Sequence, residues 1–262
     1  MHPIERLRYV ARAGDVPAAP LVREAAAALA AFADDPMELL TACKQLIERR
    51  PACGPLVWVA ARMLTGSDPS TEAWDAVEAL ERDRTGAELA HALPADSTVL
   101  VLGSPELTGL AVRERPDVEV LVADTIGEGY GLLRWLDDHD HVGVDIPAAG
   151  VGAAAAAADL VVLEAETTGD RAALARAGSR SAAAVARHAG VGVWLVAGVG
   201  RVLPDRMWEG VLGLTVDGDP WDADLEVVPL DLVDLVIGPG GAQPVAELPF
   251  RIDCPVAPEL FR

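Results

Sequence analysis

The chain has 262 residues with 21 Lys+Arg against 41 Asp+Glu, a formal net charge of −20, and its one lysine is Lys44. With 51% apolar and 24% charged residues it lies in the globular range, which excludes disordered, collagen-like and fibrous classes. The alanine-rich stretch before Asp159 is too weakly apolar to span a bilayer, and a field of −20 repels phosphate backbones, so neither membrane contact nor direct nucleic-acid binding is expected.

Leu7, Val10, Leu21, Val22, Leu29 and Phe32 recur at helical spacing over residues 4–33, and Gly14 with Pro17 divides that stretch into two helices. Asp34-Asp35-Pro36 is a cap followed by an N1 proline, opening a helix on Met37, Leu40, Cys43, Leu46 and Ile47 that ends near Arg49-Arg50. A fourth helix covers Leu56–Leu64. A fifth is predicted from Thr71 to about Leu93 on Trp74, Val77, Leu80 and Leu89. At Pro94 the period changes. Short β-rich runs follow at 98–103, 118–123, 142–146, 160–165, 192–197 and 232–237, separated by amphipathic stretches such as Gly131–Asp138 and Arg180–His188. The pattern predicts an α/β chain: a helical N-terminal domain, 1–93, and a Rossmann-like, doubly wound, mainly parallel sheet, 94–262, with ligands at the carboxyl ends of its strands. The Ala153–Ala158 run lies between two strands and is read as a tightly packed helix.

The opening Met-His-Pro-Ile-Glu-Arg has no basic stretch followed by an apolar one, so a cytoplasmic protein is expected. Cys43, Cys53 and Cys254 are odd in number and lack CxxC spacing, which fits reduced, packed thiols better than disulfides or zinc. Acid excess with almost no lysine has two sources, a high-salt cytoplasm or a GC-rich genome, and the first is preferred. Any anionic ligand then depends on local arginines or helix N-termini.

Four segments carry candidate chemistry. Gly103-Ser104-Pro105 turns from the first strand into a helix and is either an anion seat or a capped turn. Asp124 to Tyr130, with Glu128 and Gly129, is either a ribose-facing acid at a helix start or a plain cap. Glu164 and Glu166, two residues apart, fall on one face of a strand, where one acts in acid/base chemistry or both are solvated. Arg176-Ala177-Gly178-Ser179 combines a cation, a flexible glycine and an N-cap hydroxyl, and is the best phosphate cradle. His139 and His141 sit in an Asp-rich turn and are read as solvated. No metal site or cofactor is expected.

The order of these elements resembles the translation initiation factor 2B alpha/beta/delta subunit family, which includes methylthioribose-1-phosphate isomerase and ribose-1,5-bisphosphate isomerase. The resemblance runs from about Pro36 onward. Ala158-Asp159-Leu-Val-Val-Leu-Glu-Ala-Glu166 is similar to the family's strand ending Val-Gly-Ala-Asp, and Ala175–Ser179 to its Asn-Lys-x-Gly-Thr turn. Gly190–Ala197 is similar to its strand of valines and alanines, and Val228–Ile237 to its proline-led final strand, with Gly238-Pro239-Gly240-Gly241 where the family has Thr-Glu-x-Gly. Arg12-Ala13-Gly14 hints at its N-terminal Arg-Gly-Ala motif. In the family's isomerases a cysteine after the first strand and an aspartate at the Gly-Ala-Asp strand are the proposed acid/base pair. Here Gly103 stands at the cysteine position, Glu166 at the aspartate and Arg176 at the lysine, and no other cysteine is expected to substitute.

Losing one member of an acid/base pair lowers a rate by roughly 10²- to 10⁴-fold. The resemblance therefore implies a non-catalytic homologue, dimeric through its C-terminal domain, whose cleft binds a sugar phosphate or nucleotide as a regulator. Its site residues are Glu166 with Gly103, Ser104, Glu128, Gly129, Arg176, Gly178, Ser179 and Arg12. The alternatives are a divergent aldose-ketose isomerase using Glu166 with Glu164 or Ser104, and an interaction module with a translation-factor partner.

Overall fold

The computed structural model describes residues 16–127, 129–215 and 219–262. Its helical first part runs α1 Ala18–Leu29, α2 Pro36–Arg49, α3 Gly54–Thr65, α4 Pro69–Glu81 and α5 Thr85–Ala92. Asp35 caps α2 by accepting the Met37 and Glu38 amides ahead of the N1 proline, and Asp68 does the same for α4, each such cap being worth about 1 kcal/mol. The long fifth helix expected from Thr71 is two helices. Asp83 accepts both the amide and the hydroxyl of Thr85, restarting the chain in a new direction. The same carboxylate accepts the Val199 amide at 2.9 Å, which draws α5 onto the sheet.

The rest of the chain alternates β1 Thr98–Leu102, α6 Glu106–Arg113, β2 Glu119–Asp124, α7 Tyr130–Asp138, β3 Gly143–Pro147, α8 Val151–Ala157, β4 Leu160–Thr168, β5 Ala172–Arg176, α9 Ser179–Ala189, β6 Gly192–Val196, α10 Asp205–Thr215, β7 Leu225–Pro229, β8 Leu235–Gly238 and β9 Gly241–Pro244. The parallel order is β3-β2-β1-β4-β6-β8, with β9 antiparallel on β8. This is the 3-2-1-4-5-6 order of a doubly wound sheet, and its direction reverses between β1 and β4, where a crevice opens at the strands' carboxyl ends.

Five strands differ from the sequence reading. β4 continues past residue 165 to Thr168 and turns back as β5, and β7 pairs on β5, so a small antiparallel sheet grows out of the parallel one. β9 closes the far edge. The expected strand over 232–237 begins only at Leu235, because Leu230–Leu232 form a 3-10 turn after Pro229.

One face of the sheet buries the alanines of α8 and α9, including Ala154, Ala155, Ala182, Ala183 and Ala186. The other buries Leu89, Leu107, Ala111, Val112, Leu132 and Leu136 of α5, α6 and α7. A third core joins α1–α4 to Leu203, to Met207, Trp208 and Val211 of α10, and to Cys254, Ala257 and Leu260 near the chain's end. Among the described residues no helix is long and apolar enough to cross a membrane.

The thiols in that third core carry a pH consequence. Burial pushes the Cys43 and Cys254 thiols up to about 12. The unfolded chain ionises them near 9, so above pH 9 the unfolded state releases protons that the folded state retains, and stability falls as pH rises. Each buried thiol contributes a loss of about 1.4 kcal/mol per pH unit in that window. Denaturant titrations from pH 8 to 11 are expected to show the midpoint dropping, and the Cys43→Ala, Cys254→Ala double variant is expected to flatten that slope. An equal slope in the two proteins would remove the thiols as its cause.

Candidate functional site

A cleft of about 800 Å³ opens at the β1/β4 switch point, within the size range of small-molecule sites. Its walls come from the start of α1, the α2–α3 loop, the β1–α6 turn, the exit of β4, the β5–α9 turn, and α10 with β7. Ser104, Glu106, Glu164, Glu166, Arg176, Ser179 and Arg201 line it, as do Arg49, Arg50, Cys53 and Arg113. Glu164 and Glu166 both reach the cleft from β4, on either side of Ala165, where the ladder to β5 shifts register.

The two glutamates do different work. Glu164, 8% exposed at its side chain, accepts the Leu107 amide at 3.1 Å and the Thr108 amide and hydroxyl at 2.9 Å. It therefore caps the N-terminus of α6, the anion seat that the Gly103-Ser104-Pro105 turn offers, with a carboxylate from the protein itself. Glu166 is one-third exposed and faces Arg176, with Nε 3.8 Å from Oε1.

Beneath them lies Arg201, 7% exposed at its side chain. Its Nη1 donates to the Ala165 carbonyl at 2.6 Å and meets Glu164 at 3.2 Å, while Nη2 meets Glu106 at 3.1 Å. Burial alone would weaken this cation, and Glu164, Glu166 and Glu106 outweigh it, holding the guanidinium above its ordinary range. Glu106 in turn accepts the Ala18 amide at 3.0 Å, tying the start of α1 to the cleft. Burial raises the Glu106 carboxyl above the ordinary carboxylate range, against the opposing pull of Arg201 and the Ala18 amide.

Sequence reasoning missed Arg201 and misplaced Cys53. Arg201 stands alone after Gly198-Val199-Gly200, and only the folded chain brings it under β4. Gly200 takes φ +72° and packs on the Trp58 ring, where an added Cβ would come within 2.8 Å of Cε3. Gly54 sits equally close to Glu166 and Arg201, since a Cβ there would meet the Glu166 carbonyl and the Arg201 Cα at 3.0 Å. This approach sets the preceding residue, Cys53, in the cleft wall. Burial pushes its thiol up to about 11, and neighbouring Glu166 adds to the rise. No other cysteine is expected to substitute at the Gly103 position, yet Cys53 reaches the cleft wall from the helical part of the chain.

Of the remaining candidates, Gly103, Gly129 and Gly178 do not line the cleft. Gly103 is buried at φ +65°, its amide bonded to the Ala123 carbonyl. Gly129 packs on Asp124 and Val122. Gly178 adopts φ +94° as the cap of α9, so Ser179 is the first helical residue instead of the cap. Arg12 and Glu128 lie outside the described residues. His139 and His141 are not simply solvated: His139 stacks on Trp135 with ring centroids 4.1 Å apart, and His141 meets the same ring edge-on. Arg113 lies over that ring at 4.7 Å.

No protein-family model matches this sequence, and no curated protein does. Solved structures do match. The translation initiation factor eIF-2B of Pyrococcus horikoshii OT3 superposes with a TM-score of 0.74 at 15% identity, covering 92% of this chain and 96% of that one. The eIF2B beta subunit of Chaetomium thermophilum gives 0.72 at 16% identity over 98% and 91%. The delta subunit from A. fulgidus gives 0.60 at 18% over 93% and 88%. At such identities the likeness establishes the fold, which is that of the initiation factor 2B alpha, beta and delta subunits.

Proposed function

We propose that this protein is a non-catalytic relative of the sugar-phosphate isomerases built on the initiation factor 2B fold, and that its cleft binds a sugar phosphate or nucleotide as a regulatory ligand. One observation carries the reading. In a chain with 21 cations and 41 acids, the cleft lining holds five arginines, Arg49, Arg50, Arg113, Arg176 and Arg201, against three glutamates. The local sign is reversed at the end of the sheet where doubly wound folds bind ligands, and such a cleft concentrates anions against the field of the whole molecule. No aromatic ring lines it among the described residues, so a nucleobase would lack a stacking platform, which favours the sugar phosphate. Glu164 and Glu106 are engaged as acceptors for amides and Arg201, which withdraws them from proton transfer. A homodimer acting in the cytoplasm is part of the same reading, consistent with the beta2-delta2 tetramer reported for a structural neighbour.

Thermal denaturation with ribose 5-phosphate, ribose 1,5-bisphosphate, AMP and GDP tests it. A ligand at 100 times its Kd stabilises by about 2.7 kcal/mol, and the ribose phosphates are expected to raise the midpoint more than the nucleotides. A flat panel would remove the anion-binding reading and leave the interaction module with a translation-factor partner.

The second reading, a divergent isomerase, is favoured by Cys53. A protonated thiol beside Glu166 supplies the second proton-transfer group that an aldose-ketose shift requires. Turnover of ribose 1,5-bisphosphate or methylthioribose 1-phosphate, lost in both Cys53→Ser and Glu166→Gln, would establish it over the non-catalytic one.

A further inference from the structure

Arg113, the last residue of α6, lines the cleft together with Leu110 and Leu132. In a chain with about twice as many acids as cations, arginines are commonly spent on carboxylates. Arg62 meets Glu72, Arg115 meets Asp117, Arg187 meets Asp234, and Arg176 faces Glu166. Arg113 meets no carboxylate among the described residues, and its guanidinium lies over the Trp135 ring, 4.7 Å from the centroid. A π-face attracts the cation without neutralising it, so both its charge and its N–H donors stay available to a ligand. Trp135 is itself held in place. It is partly buried against the sheet core. His139 stacks on it with centroids 4.1 Å apart and an interplanar angle of 13°, and the His139 Nδ1 donates to the Trp135 carbonyl at 2.8 Å. His141 meets the ring edge-on at 5.2 Å. The histidine pair of the Asp-rich turn therefore braces the ring that holds a cleft arginine.

We infer that Trp135 is a positioning residue for anion binding, holding Arg113 as a ligand contact at the α6–α7 end of the cleft in addition to Arg176 on β5. The inference rests on the anion-binding reading above. A free arginine loses rotamer freedom when it meets a ligand, and an arginine already seated on a ring has lost that freedom before the ligand arrives.

The experiment is calorimetric titration of ribose 5-phosphate at pH 8 into wild type, Arg113→Gln, Trp135→Leu, Trp135→Phe, Arg176→Gln and the Arg113→Gln, Trp135→Leu double variant. Arg113→Gln is expected to weaken binding about tenfold, as loss of a charge-assisted contact does. Trp135→Leu is expected to weaken it about two- to fivefold. The double variant is expected to bind no more weakly than Arg113→Gln, since the ring acts through that arginine. Trp135→Phe keeps a π-face and is expected to stay within about twofold of wild type. It should also lose the change in tryptophan emission that the ligand produces in wild type, a readout that does not require Trp135→Leu to fold. Three results each overturn the role of Trp135 and leave the anion-binding reading standing: losses that multiply in the double variant, an emission change that persists in Trp135→Phe, or unchanged binding by Arg113→Gln beside weakened binding by Arg176→Gln. Absence of binding by wild type overturns both.

Discussion

Arg201→Met is expected to lower the unfolding free energy by about 3–5 kcal/mol, the usual result of deleting one partner of a buried ion network. The guanidinium compensates two carboxylates that water reaches poorly, Glu164 and Glu106, and it also satisfies the Ala165 carbonyl. Methionine matches its stem but leaves both carboxylates without this cation, with only amide and hydroxyl donors remaining, and removes the guanidinium donor from the Ala165 carbonyl. For a chain of this size that corresponds to a fall of roughly 10 °C in Tm, readable by calorimetry. Replacing both glutamates with glutamine in the same protein should recover part of the loss, because the uncompensated charges then disappear. An unaltered Tm in Arg201→Met would show that water or Arg176 takes over the network.

Arg176→Gln is expected to reduce affinity for ribose 5-phosphate by about 10- to 100-fold, the range for losing a charge-assisted contact to an anion. Its stability should change far less than that of Arg201→Met. Arg176 is about a fifth exposed and sits 3.8 Å from Glu166, a separation at which an ion pair near the surface contributes on the order of 1 kcal/mol or less. The two arginines therefore separate by readout: the buried one in Tm, the lining one in Kd. Should Arg176→Gln bind ribose 5-phosphate as tightly as wild type, the seat of the anion would shift to Arg49, Arg50 or Arg113.

The helical first part and the doubly wound order were legible because their signals are local. Asp35-Pro36 announces a helix start, and runs such as Thr98-Val-Leu-Val-Leu102 announce buried parallel strands, whereas Asp68-Pro69 reads as the close of the preceding helix and in fact opens the next one. β5 was not legible, since Ala172-Ala-Leu-Ala-Arg176 has no β-branched residue and reads as helix or turn. It becomes a strand because β4 outruns its parallel neighbours and reverses at Gly169-Asp170, where the Gly169 amide bonds the Ala172 carbonyl. Residues 232–237 read as one strand for the opposite reason: the leucines and valines of the Leu230–Leu232 turn and of β8 share one composition.

For the site, Glu166, Arg176, Ser104 and Ser179 were recoverable from strand ends and turn chemistry. Cys53 and Arg201 were not, because each reaches the cleft through a glycine contact, Gly54 on the β4 backbone and Gly200 on Trp58, and close approach between distant segments leaves no periodic trace. The cap that Glu164 supplies to α6 is equally invisible, as is Glu226 of β7 accepting the Arg180 amide of α9 at 2.8 Å, since nothing local ties either glutamate to the helix it serves.

The third core, shared by α1–α4, α10 and the last residues of the chain, bears on how the molecule comes apart. Leu21, Trp58 and Val77 lie in one cluster with Met207, Trp208 and Leu260, and the Ala18 amide is held by Glu106 at the edge of the sheet. Peeling the helical part away would strip α10 of its apolar cover and expose the floor of the cleft in the same event. Unfolding is therefore expected as one transition with equal calorimetric and van't Hoff enthalpies. A ligand held at the switch point would then protect the amide hydrogens of α1 and α3 from exchange as strongly as those of β4.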